Sequence, residues 1–137
     1  MAFEMTDQLR RRLTDDTLVW LTTVSPRGRP APRLVWFMWT GDSCLIYSQT
    51  AAAKLGHIAG NDRVTLNFSS DARGGDAVVM AGRAELAPDA PPAAALPGLL
   101  DKYTDLLNAI GMTAEHFTSS YTVAMRVIPD HTWTIPA

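Results

Sequence analysis

The chain has 137 residues, 47% hydrophobic and 19% charged, with a formal net charge of −2. That balance suits one globular domain over 1–137 with a real core, and it excludes a disordered tract or a basic nucleic-acid binder. The single cysteine, Cys44, leaves no internal disulfide and no cysteine-based metal site. No stretch approaches the ~20 apolar residues needed to cross a bilayer, and MAFEMTDQLRRR has no signal-like apolar run, so the expected setting is cytoplasmic, without membrane or nucleic-acid partners.

Residues 6–16 (TDQLRRRLTDD) read as a short helix, capped by Thr6 or Asp7, with Leu9 and Leu13 on one face. Then the texture becomes β-like. LVWLTTV (18–24) is a strand, SPRGRP (25–30) a turn, and PRLVWFMW (32–39) a nearly continuous apolar strand whose two faces should both be covered. Gly41-Asp42 marks a hairpin into SCLIYSQ (43–49), so the three strands are expected side by side as an antiparallel meander.

TAAAKLGHIAGN (50–61) returns to helical spacing through Ala51, Leu55 and Ile58, with Thr50 as the expected N-cap and Gly60-Asn61 as its end. RVTLNFS (63–69) is a strand, SDARGGD (70–76) a flexible loop, and AVVMAGRAELA (77–87) a long strand with a bulge or bend at Gly82. PDAPPAAALPG (88–98) is a semi-rigid connector. LLDKYTDLLNAIG (99–111) is an amphipathic helix, and Thr113 caps a short helix, AEHFTSS. TVAMRVIP and HTWTI are expected as two closing strands. This order of hairpins and late helices predicts a mainly β fold with peripheral helices, a closed or partly closed antiparallel barrel.

The strongest local chemistry is in YSQTAAAKLGHI. A strand ends at Tyr47-Ser48 and a helix follows. A helix N-terminus offers free N–H groups and a positive dipole end, and Ser48 and Thr50 add hydroxyls. Lys54 sits in the first turn, where the dipole disfavours a cation unless an anion is bound. The plainer reading is a surface helix with a solvated lysine. Beside it, Leu34, Val35, Trp36 and Phe37 can supply an apolar slot for a flat ring, or simply core. Arg27, Arg29 and Arg33 form a basic cluster near the first turn. His57, His116 and His131 have no ligand spacing, so no metal is expected, and there is no G-x-S-x-G, Walker A or G-x-G-x-x-G motif to mark a catalytic residue.

In order, these features are a strand, Gly28-x-Pro30 leading to Val35-Trp36-Phe37, a hairpin, Tyr47-Ser48, Lys54, a helix, and Asn61-x-Arg63-Val64. The ordered set, spanning residues 18–68, resembles the pyridoxamine 5′-phosphate oxidase-like split β-barrel superfamily, which includes FMN-binding split barrels. Within it the chain looks most like the flavin/deazaflavin oxidoreductases of the B group, which use coenzyme F420. The resemblance implies a homodimer with cofactor sites at the subunit interface. It assigns ring contact to Arg33, Leu34, Val35 and Trp36, and phosphate contact to Tyr47, Ser48, Thr50 and Lys54. It implies hydride transfer from reduced F420 to a small electron-poor substrate. FMN is the alternative cofactor, and a non-enzymatic flavin or tetrapyrrole carrier the alternative role. The chain departs from the true oxidases at Ala53, where they have an arginine before the lysine, and at Ala77, where they have a glutamine. It also lacks their C-terminal substrate-binding Arg/His signature, ending HTWTIPA.

Overall fold

The computed structural model describes residues 3–137. Helix α1 (Asp7–Asp15) starts where Thr6 accepts a hydrogen bond from the Leu9 amide, and it buries Leu9, Arg12 and Leu13. Strands β1 (Val19–Val24), β2 (Pro30–Val35), β3 (Met38–Trp39), β4 (Cys44–Ser48), β5 (Arg63–Asn67), β6 (Ala77–Leu86) and β7 (Val123–Ile135) form one seven-stranded sheet. Helix α2 (Ala53–Gly60) lies between β4 and β5; α3 (Leu99–Ile110) and α4 (Ala114–Ser120) lie between β6 and β7.

The strand order is β2-β1-β5-β6-β7-β4-β3, with antiparallel pairing throughout. The predicted meander is therefore corrected. β1 pairs with β2 and β3 with β4, but the two hairpins sit at opposite ends of the sheet. The run 32–39 is not one strand: it leaves the sheet after Val35 and rejoins it at Met38, on the other edge. Three peptide steps reach at most about 11 Å. The two edges must therefore lie close together, which curls the sheet into the expected antiparallel split barrel, open between β2 and β3.

This layout also moves the doubly covered strand. β2 is an edge strand, exposed over most of its length, with only Val35 buried. β4 is the strand buried at every position. Its Cys44 and Ile46 join the barrel core with Leu21, Leu66, Met80 and Val127. Its Leu45 and Tyr47 join a second core with Leu99, Tyr103, Leu107 and Phe117 from α3 and α4. Apolar continuity correctly signals two-sided burial, but edge position overrides it in β2.

Two further expectations change. The chain closes with one strand, β7, rather than two; a register irregularity at Ala81/Gly82, opposite Pro129, absorbs the proline. The segment 70–76, expected as a flexible loop, is a hydrogen-bonded turn. The Asp71 carboxylate accepts from the Arg73 and Gly75 amides, and Asp76 is held by Gln8, Arg11 and Arg12 of α1. Arg12, buried, also donates to the Ser69 carbonyl and pairs with Asp16, so one guanidinium joins α1 to the β5–β6 turn.

Gly82 lets β6 and β7 approach. A Cβ there would stand 2.1 Å from the Ile128 carbonyl oxygen and 2.9 Å from the Pro129 Cα, both backbone atoms. Gly82→Ala should lower unfolding free energy by about 1–3 kcal/mol through overpacking, read from the urea midpoint. An unchanged midpoint would show that the two strands separate freely there.

Candidate functional site

The open side of the barrel carries a cavity of about 330 Å³. Leu34, Val35 and Trp36 line it from the end of β2, Tyr47 and Gln49 from the end of β4, and Ala52 and Lys54 from the start of α2. Ile110, Met112, Phe117 and Tyr121 close the far wall from α3, α4 and the residues after them. Most of these side chains are apolar or aromatic, and Lys54 is the charged member.

The structure thus brings together Leu34, Val35, Trp36, Tyr47 and Lys54 of the predicted set. Ser48 is corrected. Side chains alternate along a strand, so Ser48 follows Cys44 and Ile46 toward the barrel interior, while Tyr47 and Gln49 face the cavity. The Ser48 hydroxyl is fully buried and donates to the Gln49 carbonyl. Thr50 is not the expected N-cap: α2 begins at Ala53, Ala52 is its N-cap and no side chain caps it, and Thr50 is exposed and does not line the cavity. Arg33 lies outside the cavity wall and donates to the Pro32 carbonyl at 2.8 Å, yet its charge acts on Lys54.

Sequence reasoning missed Gln49 and the helical wall. Gln49 was accessible through the same alternation that points Tyr47 to the cavity. Phe117 and Tyr121 were accessible only as the aromatic i, i+4 pair of AEHFTSSY, and nothing local says what that pair faces. In the fold they extend an aromatic series. Tyr103 stacks on Trp36 (centroids 4.5 Å apart, planes at 7°), Trp36 meets Phe117 at 5.1 Å, and Phe117 meets Tyr121 at 5.1 Å.

The charge at the cavity is that of Lys54. Burial lowers the Lys54 pKa from the ordinary lysine range, and the neighbouring Arg33 charge lowers it further. Among the described residues, no ion pair engages either cation. Helices α1 and α4 have threonine caps, on the Leu9 and His116 amides; α2, the helix with Lys54 in its first turn, and α3 have no side-chain cap. Tyr47 is no ready acid: its hydroxyl donates to the Pro91 carbonyl at 2.6 Å, and burial raises its pKa, with Arg126 opposing.

The sequence profile of the family described as pyridoxamine 5′-phosphate oxidase matches residues 5–133. The chain belongs to that family. Its fold is similar to that of an F420 reductase, 23% identical, covering 90% of this chain and 94% of that one with a TM-score of 0.71. A conserved hypothetical protein from Mycobacterium tuberculosis is 16% identical over 94% of this chain and 83% of its own, with a TM-score of 0.68. A haem storage protein from Vibrio cholerae is 11% identical over 97% and 96%, with a TM-score of 0.65. At these identities the likeness concerns the fold alone. Comparison with curated protein sequences gives no match. No helix among the described residues is long and apolar enough to cross a membrane, and no cluster of metal-ligating side chains occurs among them.

Lys54 gives a signed prediction. Its pKa is lower in the folded than in the unfolded chain, so the unfolded chain binds more protons as pH climbs toward the ordinary lysine range, and stability rises with pH there. Lys54→Met should leave the Tm at pH 7 unchanged or higher, and should flatten that alkaline rise relative to the parent. A lower Tm at pH 7 would show that the ammonium has a stabilising partner.

Proposed function

We propose that this cavity holds a flavin-type cofactor and that the protein is an F420-dependent oxidoreductase. The observation that carries this reading is the coincidence, at one cavity, of Lys54, which no ion pair engages among the described residues, at an uncapped helix start with the Trp36–Phe117–Tyr121 aromatic wall. A phosphate suits the first half and a planar ring the second. The bound deazaflavin would supply the hydride chemistry. The chain's own residues would orient and dry the ring, with Leu34, Val35 and Trp36 along it and Lys54, with Arg33 nearby, neutralising the phosphate. Ala53 leaves one cation fewer than an FMN-binding oxidase carries beside this lysine, and that favours F420 over FMN. An F420 reductase is built on the same fold. The substrate class is a small electron-poor acceptor such as an enone or quinone.

The reading includes a homodimer. In antiparallel strands, directly opposed residues share a face. Leu34, Trp20, Asn67, Val79 and Trp133 are opposed in turn across β2, β1, β5, β6 and β7, forming one row on the outside of the barrel. Trp20, Leu34 and Trp133 in that row are each 44–48% exposed, large apolar area for a free surface. Leu34 belongs to both row and cavity wall. A second copy seated on the row would therefore border the cavity and help to enclose a ring there.

Titration with F420 should quench tryptophan fluorescence at micromolar concentrations, and FMN should bind more weakly. No quenching by either at tens of micromolar would overturn the cofactor reading. Lys54→Ala should weaken F420 about tenfold or more, the loss of one charge-assisted contact of roughly 1.5–3 kcal/mol. Binding without turnover of any enone or quinone acceptor would favour a carrier role. In sedimentation, the parent should run as a dimer and Trp20→Glu as a monomer with weaker F420 binding; a monomeric parent would overturn the interface.

A further inference from the structure

Trp36 is fixed from behind by a cluster that lines no part of the cavity. Tyr103 of α3 is fully buried. Its hydroxyl accepts from the Phe37 amide at 2.7 Å and lies 2.9 Å from the Phe37 carbonyl and 2.8 Å from the Thr17 carbonyl, so its one proton serves one of these two. Its ring carries the Trp36 indole in a near-parallel stack. The adjacent Lys102 ammonium donates to the Phe37 carbonyl at 3.0 Å and stands 3.7 Å from the centre of the Phe37 ring. Both polar groups of the Phe37 backbone are thus held by α3, at the point where the chain passes between the sheet's edges.

We propose that Tyr103 and Lys102 are positioning residues for the ring-binding wall, and that the Lys102 proton controls how firmly the Trp36–Phe37 crossover is held. The proposal rests on the cavity being the cofactor site, but its first test needs no cofactor. The titratable groups facing Lys102 are the Cys44 thiol on β4, Asp16 beyond α1, and Tyr103, whose ring centre lies 5.4 Å from the ammonium. Cys44 is pushed by burial up to about 12 and Tyr103 is raised as well, so neither ionises near neutrality. Asp16 is committed to Arg12. Burial lowers Lys102 to about 8, against the attraction of the Asp16 carboxylate. As pH rises through that value the charge-assisted bond to Phe37 and the cation–π contact are lost. Global stability moves the other way, because the folded chain releases this proton more readily than the unfolded one.

The test is near-UV circular dichroism of the ligand-free protein between pH 6.5 and 9.5, which reads the Trp36–Tyr103 stack. The parent should change with a midpoint near 8. Lys102→Arg, which keeps its charge, should hold the low-pH spectrum, and Lys102→Met should show the high-pH spectrum throughout. Lys54→Ala should retain the transition, separating it from the other shifted lysine. A flat parent titration, or one midpoint shared by all variants, would overturn the proposal. With ligand, Tyr103→Phe should weaken FMN and its phosphate-free analogue riboflavin by the same factor of about five to ten, whereas Lys54→Ala should weaken only FMN. Equal affinity of Tyr103→Phe and parent for both would also overturn it. If the parent binds no flavin or F420, the cofactor reading fails, while the ligand-free titration still decides the role of Lys102.

Discussion

The structure turns on the two-residue crossover Trp36–Phe37. It is too short to span a flat seven-stranded sheet, so it forces the edges of β2 and β3 together and makes the barrel. It also divides its aromatic side chains between two cores. Phe37 packs edge-to-face on Phe68 inside the barrel at 5.7 Å, while Trp36 packs outward among Tyr103 and Phe117. A backbone turned out of a sheet leaves its amide and carbonyl without ladder partners. Tyr103 and Lys102 supply them, which is why α3 docks where it does.

That docking makes the cavity. α3 and α4 cover the outer face of β4, burying Leu45 and Tyr47, and their far ends bring Met112, Phe117 and Tyr121 over the gap beside β2. The barrel alone would offer an open edge with an exposed Leu34. The barrel with its helical insertion offers a walled slot. The lysine is placed independently, by α2, whose start is set by the end of β4. Two separate parts of the chain therefore meet at one cavity with complementary properties, an apolar aromatic wall and a positive rim.

Charge is used sparingly and in two different ways. At Asp76 the carboxylate is fully engaged by Gln8 and Arg11, which lower its pKa, and the result is a clamp between α1 and the β5–β6 turn. At Lys54 the cation has no such partner among the described residues and its pKa falls. A satisfied ion pair holds structure together, whereas an unsatisfied, half-buried cation favours whatever anion can enter. The contrast within one small chain gives Lys54 a meaning that its exposure alone would not.

The sequence by itself determined most of the element types, the cap at Thr113 and a first cap at Thr6 or Asp7, the Gly82 irregularity, and the family, through an ordered set of local signals around residues 18–68. It also singled out Lys54 and the Leu34–Trp36 wall, because a lysine in a first helical turn and an aromatic strand are readable within a few residues. The tertiary structure alone decided which strand was doubly covered, that 32–39 divides between two edges, and that Ser48 faces the core while Tyr47 faces the cavity. It alone brought Phe117 and Tyr121 to that cavity. The reason is physical: hydropathy records how much a residue gains from burial, not which neighbour buries it. An edge strand awaiting a partner and a strand between two cores carry the same apolar run, and only long-range pairing tells them apart.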